Sequence, residues 1–174
     1  MELRWRAFRI VPWVWTSWER FYLLLFPISP VGDGSLFAVT RRGSTLELHL
    51  DSKALARMRR EEGYSTFKAL HQMRSDLAVL AERMRSGEFA GVTELRGKSL
   101  MGEAGAVLGF QTRVAPPTVS NAFLLYFQVG LDAAYHPRGL RERAKRRWPV
   151  EISMSIAGLL ESYPPKSDRS TVAR

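Results

Sequence analysis

The 174-residue sequence contains no cysteine and only three histidines. Without cysteine the chain can form no disulfide, thiolate nucleophile or cysteine-ligated zinc site, and a chain without disulfides fits a reducing compartment. The histidines are not spaced as HxH, HExxH or HxxxH, the arrangements that bring two imidazoles to one metal ion. The sequence therefore predicts no metal site, and we expect no bound cofactor.

Long apolar runs are also lacking. The most apolar stretch near the start, Phe21 to Pro30, contains two prolines and falls short of the roughly 20 residues that a membrane-spanning helix needs. A secretory signal peptide is not indicated either, because the basic residues near the start are followed by Glu19 and Arg20 without a small-residue cleavage site. We therefore expect a cytoplasmic protein with no transmembrane segment.

Basic residues are in excess, with 26 Lys and Arg against 17 Asp and Glu and a net charge of +9. They are densest between Pro137 and Trp148, where one helical face predicts a contact with phosphate or lipid headgroups. The alternative is a solvated basic helix without a partner. The first interpretation implies membrane lipid headgroups or nucleic acid as partner, with the chain peripheral at the inner membrane face. The anion-binding candidates here are Arg138, Arg141, Arg143, Arg146 and Arg147.

The stretch from Gly91 to Ala115 predicts a β-α-β unit at the centre of the fold. Val92 to Leu95 and Phe110 to Val114 have strand-forming composition, and apolar residues between them recur at helical spacing. We expect the two strands to be buried, adjacent and parallel, with the glycine-containing helix packed closely over them.

The flanking segments predict a hairpin and several helices. Leu36 to Thr40 and Thr45 to Leu50 alternate around a glycine-containing turn, and two helices follow between Lys53 and Ser86. Further helices are predicted from Thr118 to Tyr135 and from Ile152 to Tyr163. The second helix of the 53–86 pair has a predicted apolar stripe of Phe67, Leu70, Met73, Leu77, Leu80 and Met84, and its predicted solvated face includes Asp76.

Four of the five tryptophans lie within the first 27 residues, on a predicted amphipathic helix. This helix either packs on the sheet or lies in a membrane interface. Together these patterns predict one α+β domain over residues 1–163, a mixed sheet of a hairpin and a β-α-β unit covered by helices. A disordered polar tail over residues 164–174 completes the prediction.

No catalytic signature is present, and the candidate residues are few. His49 and Asp51 share one side of a strand end and could act as an acid and base pair, with Glu94 as a further carboxylate. Lys98 and Ser99 follow a glycine as in a phosphate-binding loop, but the spacing fails. At a helix start they could still bind an anion; alternatively Ser99 is an ordinary N-cap.

Six segments of the chain share one resemblance: Leu46 to Asp51, Gly91 to Ser99, Leu108 to Phe110, Tyr135 to Pro137, Met154 to Ser155 and Tyr163. Together they resemble the YkoP-like domain family of bacteria, over roughly residues 4–163. Members of that family are small basic proteins of unknown activity, some fused to polysaccharide deacetylases. The resemblance therefore implies a link to such a deacetylase and to cell-envelope polysaccharide metabolism.

The end of the central helix, Leu108 to Phe110, also resembles the late portion of the GNAT acetyltransferases. The pyrophosphate-binding pattern of that family is missing between Leu50 and Leu70. Two hypotheses follow. The first is a non-enzymatic binding or accessory module with a basic anion-binding face. The alternative is a degenerate acyltransferase that binds an acyl-CoA-type ligand beside Glu94, Lys98 and Ser99.

Overall fold

A computed structural model describes residue 17 and residues 28–60, 65–99, 102–122, 124–125 and 148–165. Within these ranges we number six strands and four helices in chain order. They are β1 (Ser29–Pro30), β2 (Phe37–Arg42), β3 (Thr45–Leu50), α1 (Ser52–Arg60), α2 (Thr66–Arg85), β4 (Glu94–Ser99), α3 (Gly102–Val107), β5 (Gln111–Val114), β6 (Val150–Ser155) and α4 (Ile156–Ser162).

The six strands form one sheet in the order β1-β2-β3-β4-β6-β5. β3 and β4 are parallel, whereas the other four neighbouring pairs are antiparallel. A mixed sheet with helices packed on it confirms the predicted α+β class. The domain boundaries at residues 163 and 164 remain a prediction.

The predicted hairpin is confirmed, with the first strand shifted by one or two residues. β2 and β3 pair from Phe37↔Leu50 to Arg42↔Thr45. Gly43 and Ser44 alone connect the strands, and Gly43 has a φ of 61°. A two-residue turn that matches the twist of the strands requires positive φ, which glycine adopts without steric cost.

The central unit differs from the prediction in one important respect. β4, α3 and β5 follow one another as expected, but β6 lies between the two strands and pairs antiparallel with both. The predicted adjacency of the two strands is therefore wrong, and all four residues of β5 are exposed rather than buried. A helix was also predicted to begin at Ile152. That prediction is wrong for residues 152–155, because Val150–Ser155 is a strand and the helix begins at Ile156.

The core lies between one side of the sheet and α1, α2 and α4. The apolar stripe of α2 is confirmed at Met73, Leu77 and Leu80, which are buried in it. Phe67 was placed on that stripe wrongly, because it lies in the first turn of α2 and is 78% exposed. The sheet and α4 contribute Leu46, Leu48, Leu95, Ile152, Met154 and Leu159.

Close packing explains a glycine of α3, as predicted. A Cβ atom added at Gly105 would lie 2.9 Å from Cγ2 of Ile152 and 3.4 Å from Cγ2 of Thr112. Real Cβ atoms essentially never approach another atom as closely as the 2.9 Å to Ile152, so glycine lets α3 lie directly on β6 at this point.

Three predictions fall wholly or mostly outside the described residues. They are the aromatic N-terminal helix, most of the apolar helix from Thr118 to Tyr135, and the polar tail. The described start of the second, residues 119–122 and 124–125, is helical as predicted.

Candidate functional site

The sheet has one apolar and one polar side, because successive side chains of a strand point in opposite directions. Leu46, Leu95 and Met154 are aligned across β3, β4 and β6 on the core side. The opposite side, which we call the polar sheet face, is rich in functional groups. On β3 to β6 it includes Thr45, Glu47, His49, Glu94, Arg96, Lys98, Gln111, Arg113, Glu151, Ser153 and Ser155.

Charged residues on the polar sheet face pair with one another. Arg96 Nη2 lies 2.7 Å from Glu94 Oε2, and Lys98 Nζ lies 3.8 Å from Glu151 Oε1. The hydrogen bond and charge of Glu94 raise the pKa of the Arg96 guanidinium above its usual value. Exposed pairs such as these contribute only about 0–1 kcal/mol each to stability. Their main effect is to leave the described face with little net charge.

A groove lies at the end of the polar sheet face where β4 begins and β6 ends. It is open to solvent and is lined by Thr93, Glu94, Gln111, Ser153, Met154 and Ser155. Ser155 Oγ already accepts a hydrogen bond from the backbone amide of Gly158, because it caps α4. The carboxylate, amide and hydroxyl groups of the groove can form hydrogen bonds to a polar molecule. They do not include a nucleophile in contact with a general base.

His49 and Asp51 lie in different local environments, and their role as an acid and base pair stays a prediction. Asp51 Oδ1 accepts hydrogen bonds from the amides of Lys53 and Ala54, so it is the N-cap of α1. His49 Nε2 is buried without a hydrogen-bond partner among the described residues. Burial lowers the pKa of the His49 imidazole, and the charge of Glu47 only partly opposes this.

Glu94 is also remote from His49. The two residues lie on neighbouring parallel strands, but Glu94 aligns with Thr45, four residues before His49. At about 3.3 Å per residue, this offset separates them by about 13 Å along the sheet. Glu94 and His49 therefore do not converge on one point.

Lys98 and Ser99 lie in β4 rather than at the start of a helix, which corrects their predicted position. The strand predicted for Val92 to Leu95 instead runs from Glu94 to Ser99 and so includes the expected N-cap position. Lys98 Nζ donates to Asn121 Oδ1 at 2.7 Å, and Asn121 is 1% exposed. Whether these residues bind an anion stays a prediction, as it does for Arg138, Arg141, Arg143, Arg146 and Arg147, which lie outside the described residues.

Two general features can be stated for the described part of the chain. No group of three or more His, Cys, Asp or Glu side chains there is arranged to hold a metal ion. None of the helices there combines the length and apolar content of a bilayer-spanning segment.

A family model for the YkoP domain matches residues 38–163. The chain belongs to the YkoP domain family. The match spans the hairpin, the central unit and α4 of this YkoP domain, and so confirms the resemblance seen in the sequence. No curated protein matches the chain, and no solved structure matches it. Nothing in these comparisons supports the resemblance to GNAT acetyltransferases.

Sequence reasoning missed several residues of the polar sheet face in this YkoP domain. Glu151 and Ser153 alternate strictly with the apolar residues of β6, a period-two signal that could have placed them on the same face. Gln111 was assigned to a strand, but its position beside Ser153 depends on the pairing of β5 with β6. Asn121 gave no sequence signal, because its partner Lys98 is 23 residues away.

Proposed function

We propose that this YkoP domain is a non-enzymatic binding module that attaches to a phosphate-bearing surface through its basic segment, residues 138–147. The observation that carries the proposal is the charge of this segment. It holds six basic residues and one acidic residue, a net of +5 out of +9 for the whole chain. Such a concentration of charge attracts phosphate groups of lipid or nucleic acid.

The described arginines support this proposal indirectly, because several have structural roles. Arg41 donates to the carbonyl of Ala90. Arg83 donates to Pro30 and Val31, and Arg85 donates to Leu160 and Tyr163, in each case through backbone carbonyls. Positive charge that holds the fold together is less available to a partner than charge on the basic segment.

The absence of converging catalytic candidates in the described residues favours binding over catalysis. Glu94 is paired with Arg96, Asp51 caps a helix, and His49 is about 13 Å from Glu94 along the sheet. No specific observation favours the acyltransferase-like alternative. We expect acyl-CoA compounds at millimolar concentration to leave the melting temperature unchanged, and clear stabilisation would revive that alternative.

The proposal places the module in the cytoplasm, peripheral to the inner membrane face. An accessory role in envelope polysaccharide metabolism, alongside a polysaccharide deacetylase, is a further part of it. That part rests on the family resemblance alone and is independent of the membrane test.

Vesicle co-sedimentation tests the proposal. The full chain is mixed with neutral phosphatidylcholine vesicles or with vesicles that also contain phosphatidylglycerol, over a series of salt concentrations. A duplex oligonucleotide in the same series distinguishes nucleic acid from lipid as the source of phosphate. We expect the chain to bind the phosphatidylglycerol vesicles or the duplex and not the neutral vesicles. The affinity for the anionic partner should fall as the salt concentration rises.

A triple charge reversal locates the binding face. Arg143→Glu, Arg146→Glu and Arg147→Glu together should weaken binding at least about 100-fold, since each basic residue near an anionic membrane contributes about 1 kcal/mol. The matched control reverses the same amount of charge on α1 through Lys53→Glu, Arg57→Glu and Arg60→Glu, and should weaken binding far less. Unchanged binding by the 143, 146 and 147 variant would exclude the proposal, as would the absence of binding to either partner.

A further inference from the structure

β5 is an edge strand that the described part of the chain leaves open. It pairs with β6 on one side only and lies at the end of the sheet. Its four residues are all exposed, and Val114 is 68% exposed. An open edge presents unpaired backbone amides and carbonyls that another strand can bind.

The register shows which backbone groups face outward. The amide of Ala115 donates to the carbonyl of Pro149, its antiparallel partner on the β6 side. Because hydrogen-bonded and non-hydrogen-bonded pairs alternate along an antiparallel ladder, Arg113 and Gln111 also bond inward. The amides and carbonyls of Thr112 and Val114 therefore point away from the sheet, as two donors and two acceptors.

The two edges of the sheet differ in their protection. β1 has only two residues, and one of them is Pro30, which has no amide hydrogen to donate. Short strands and proline are the usual means of preventing unwanted pairing at an edge. β5 is longer and contains no proline, so its edge remains competent to bind another strand.

Charge indicates what kind of strand fits. Arg113 is exposed and makes no ion pair or hydrogen bond with the described residues. Its cross-strand neighbour Glu151 lies near Lys98 instead. On the outer side Arg113 would form a non-hydrogen-bonded pair, the geometry in which opposite side chains are closest. A carboxylate at that position would complement it.

A second copy of this chain is a poorer occupant. An antiparallel pairing of two β5 strands centred on Arg113, with Thr112 of each copy opposite Val114 of the other, would place two Arg113 side chains opposite each other. Like charges in directly opposed positions are destabilising. The net charge of +9 adds to this repulsion and favours an acidic partner.

We propose that β5 accepts an extended segment of a partner protein as an additional antiparallel strand, with an acidic side chain of that segment opposite Arg113. This site is separate from the basic segment, and the proposal does not depend on phosphate binding there. Alternation in the incoming strand would place its acidic side beside Arg113 and its apolar side beside Val114.

Amide NMR spectra of the full chain test the proposal with two acetylated and amidated peptides. The probe is Thr-Val-Glu-Val-Thr-Val, and its matched control replaces the glutamate with lysine. We expect the probe to shift the amide signals of Thr112 and Val114 downfield and slow their hydrogen exchange, with little effect on Arg113. The probe should bind about fivefold more tightly than the control peptide, because opposite charges replace like charges across the strands.

Two variants complete the experiment. Arg113→Glu should reverse the preference between the peptides. Thr112→Pro removes an outward amide while keeping the hydrogen bonds to β6, so it should abolish binding, and a cooperative melting transition shows that the variant is folded. If that variant fails to fold, the result with Arg113→Glu decides.

The proposal is overturned if neither peptide shifts the Thr112 and Val114 signals at millimolar concentration. It is also overturned if Arg113→Glu leaves the preference between the peptides unaltered, or if a folded Thr112→Pro variant binds normally. Concentration-dependent shifts of these amides without peptide would overturn it in favour of a second copy.

Discussion

A single buried carboxylate joins α2 to the start of β2. Asp76 is 3% exposed, and its Oδ2 accepts hydrogen bonds from the amides of Leu36 and Phe37 at 2.6 and 3.1 Å. Its Oδ1 accepts from Gln72 Nε2 at 2.8 Å. Burial raises the pKa of Asp76, and these three hydrogen bonds only partly offset that effect. The side chain therefore stabilises the fold as an acceptor of backbone hydrogen bonds.

We expect Asp76→Ala to reduce the free energy of unfolding by about 3 kcal/mol, because it leaves two buried amides without an acceptor. Asp76→Asn keeps one oxygen for those amides and should cost clearly less. Urea denaturation of both variants measures the difference. Equal losses would show that the hydrogen bonds to Leu36 and Phe37 contribute little.

Asp51 and Asp76 both accept backbone hydrogen bonds, but they differ in how far along the chain their partners lie. Asp51 precedes a helical pattern, and its cap is made with amides two and three residues away, so the signal is local. Asp76 was assigned to the solvated face of α2. Its backbone partners are 39 and 40 residues away, and no local pattern indicates them.

The half-buried imidazole of His49 should make stability depend on pH. Burial lowers the pKa of His49 in the folded chain, so the unfolded chain takes up a proton first as the pH falls. Stability contributed by neutral His49 is thus present above pH about 6.5 and is lost as the pH falls from there towards the lower folded pKa.

Melting temperatures between pH 8 and 5 should fall more steeply for the wild type than for His49→Gln. His71→Gln, which changes an exposed histidine on α2, is the matched control. Parallel curves for the wild type and His49→Gln would contradict the expectation.

Strand β6 determines the architecture at the level of elements. Its apolar residues at 150, 152 and 154 alternate with Glu151, Ser153 and Ser155, and Ser155 also caps the helix that follows directly. A six-residue strand that runs into a helix is easily interpreted as part of that helix. The position of β6 between β4 and β5 depends on backbone pairing with strands that are distant in sequence. Local periodicity does not predict such pairing.

Contact between α3 and β6 depends on Gly105. We expect Gly105→Ala to destabilise the domain by about 1–2 kcal/mol, although alanine is the better helix former, because its Cβ would lie too close to Ile152. Ala106→Gly, at the exposed neighbouring position, is the matched control and should cost about 1 kcal/mol from helix propensity alone. Chemical denaturation measures both. Stabilisation by Gly105→Ala would mean that α3 does not pack on β6 at this distance.

At the scale of the whole molecule, the sequence sufficed for the family and the α+β class but not for the distribution of charge. The family resemblance rested on short segments that the family model covers from residue 38 to residue 163. Counting basic residues could not show that Arg41, Arg83 and Arg85 bind backbone carbonyls of distant segments. Nor could it show that the charges of the polar sheet face largely neutralise one another, because that pairing depends on strand register.

This distribution predicts how salt affects stability. Described ion pairs are mostly exposed and contribute little each, whereas the net charge of +9 repels itself throughout the molecule. Salt screens both the attraction within ion pairs and the repulsion from the net charge, and the repulsion is the larger effect. We therefore expect the melting temperature to rise by a few degrees as sodium chloride increases from about 0.03 to about 0.3 M. The Arg143→Glu, Arg146→Glu and Arg147→Glu variant lowers the net charge from +9 to +3 and should show a smaller rise. A falling melting temperature in the wild type would mean that the surface ion pairs outweigh the repulsion.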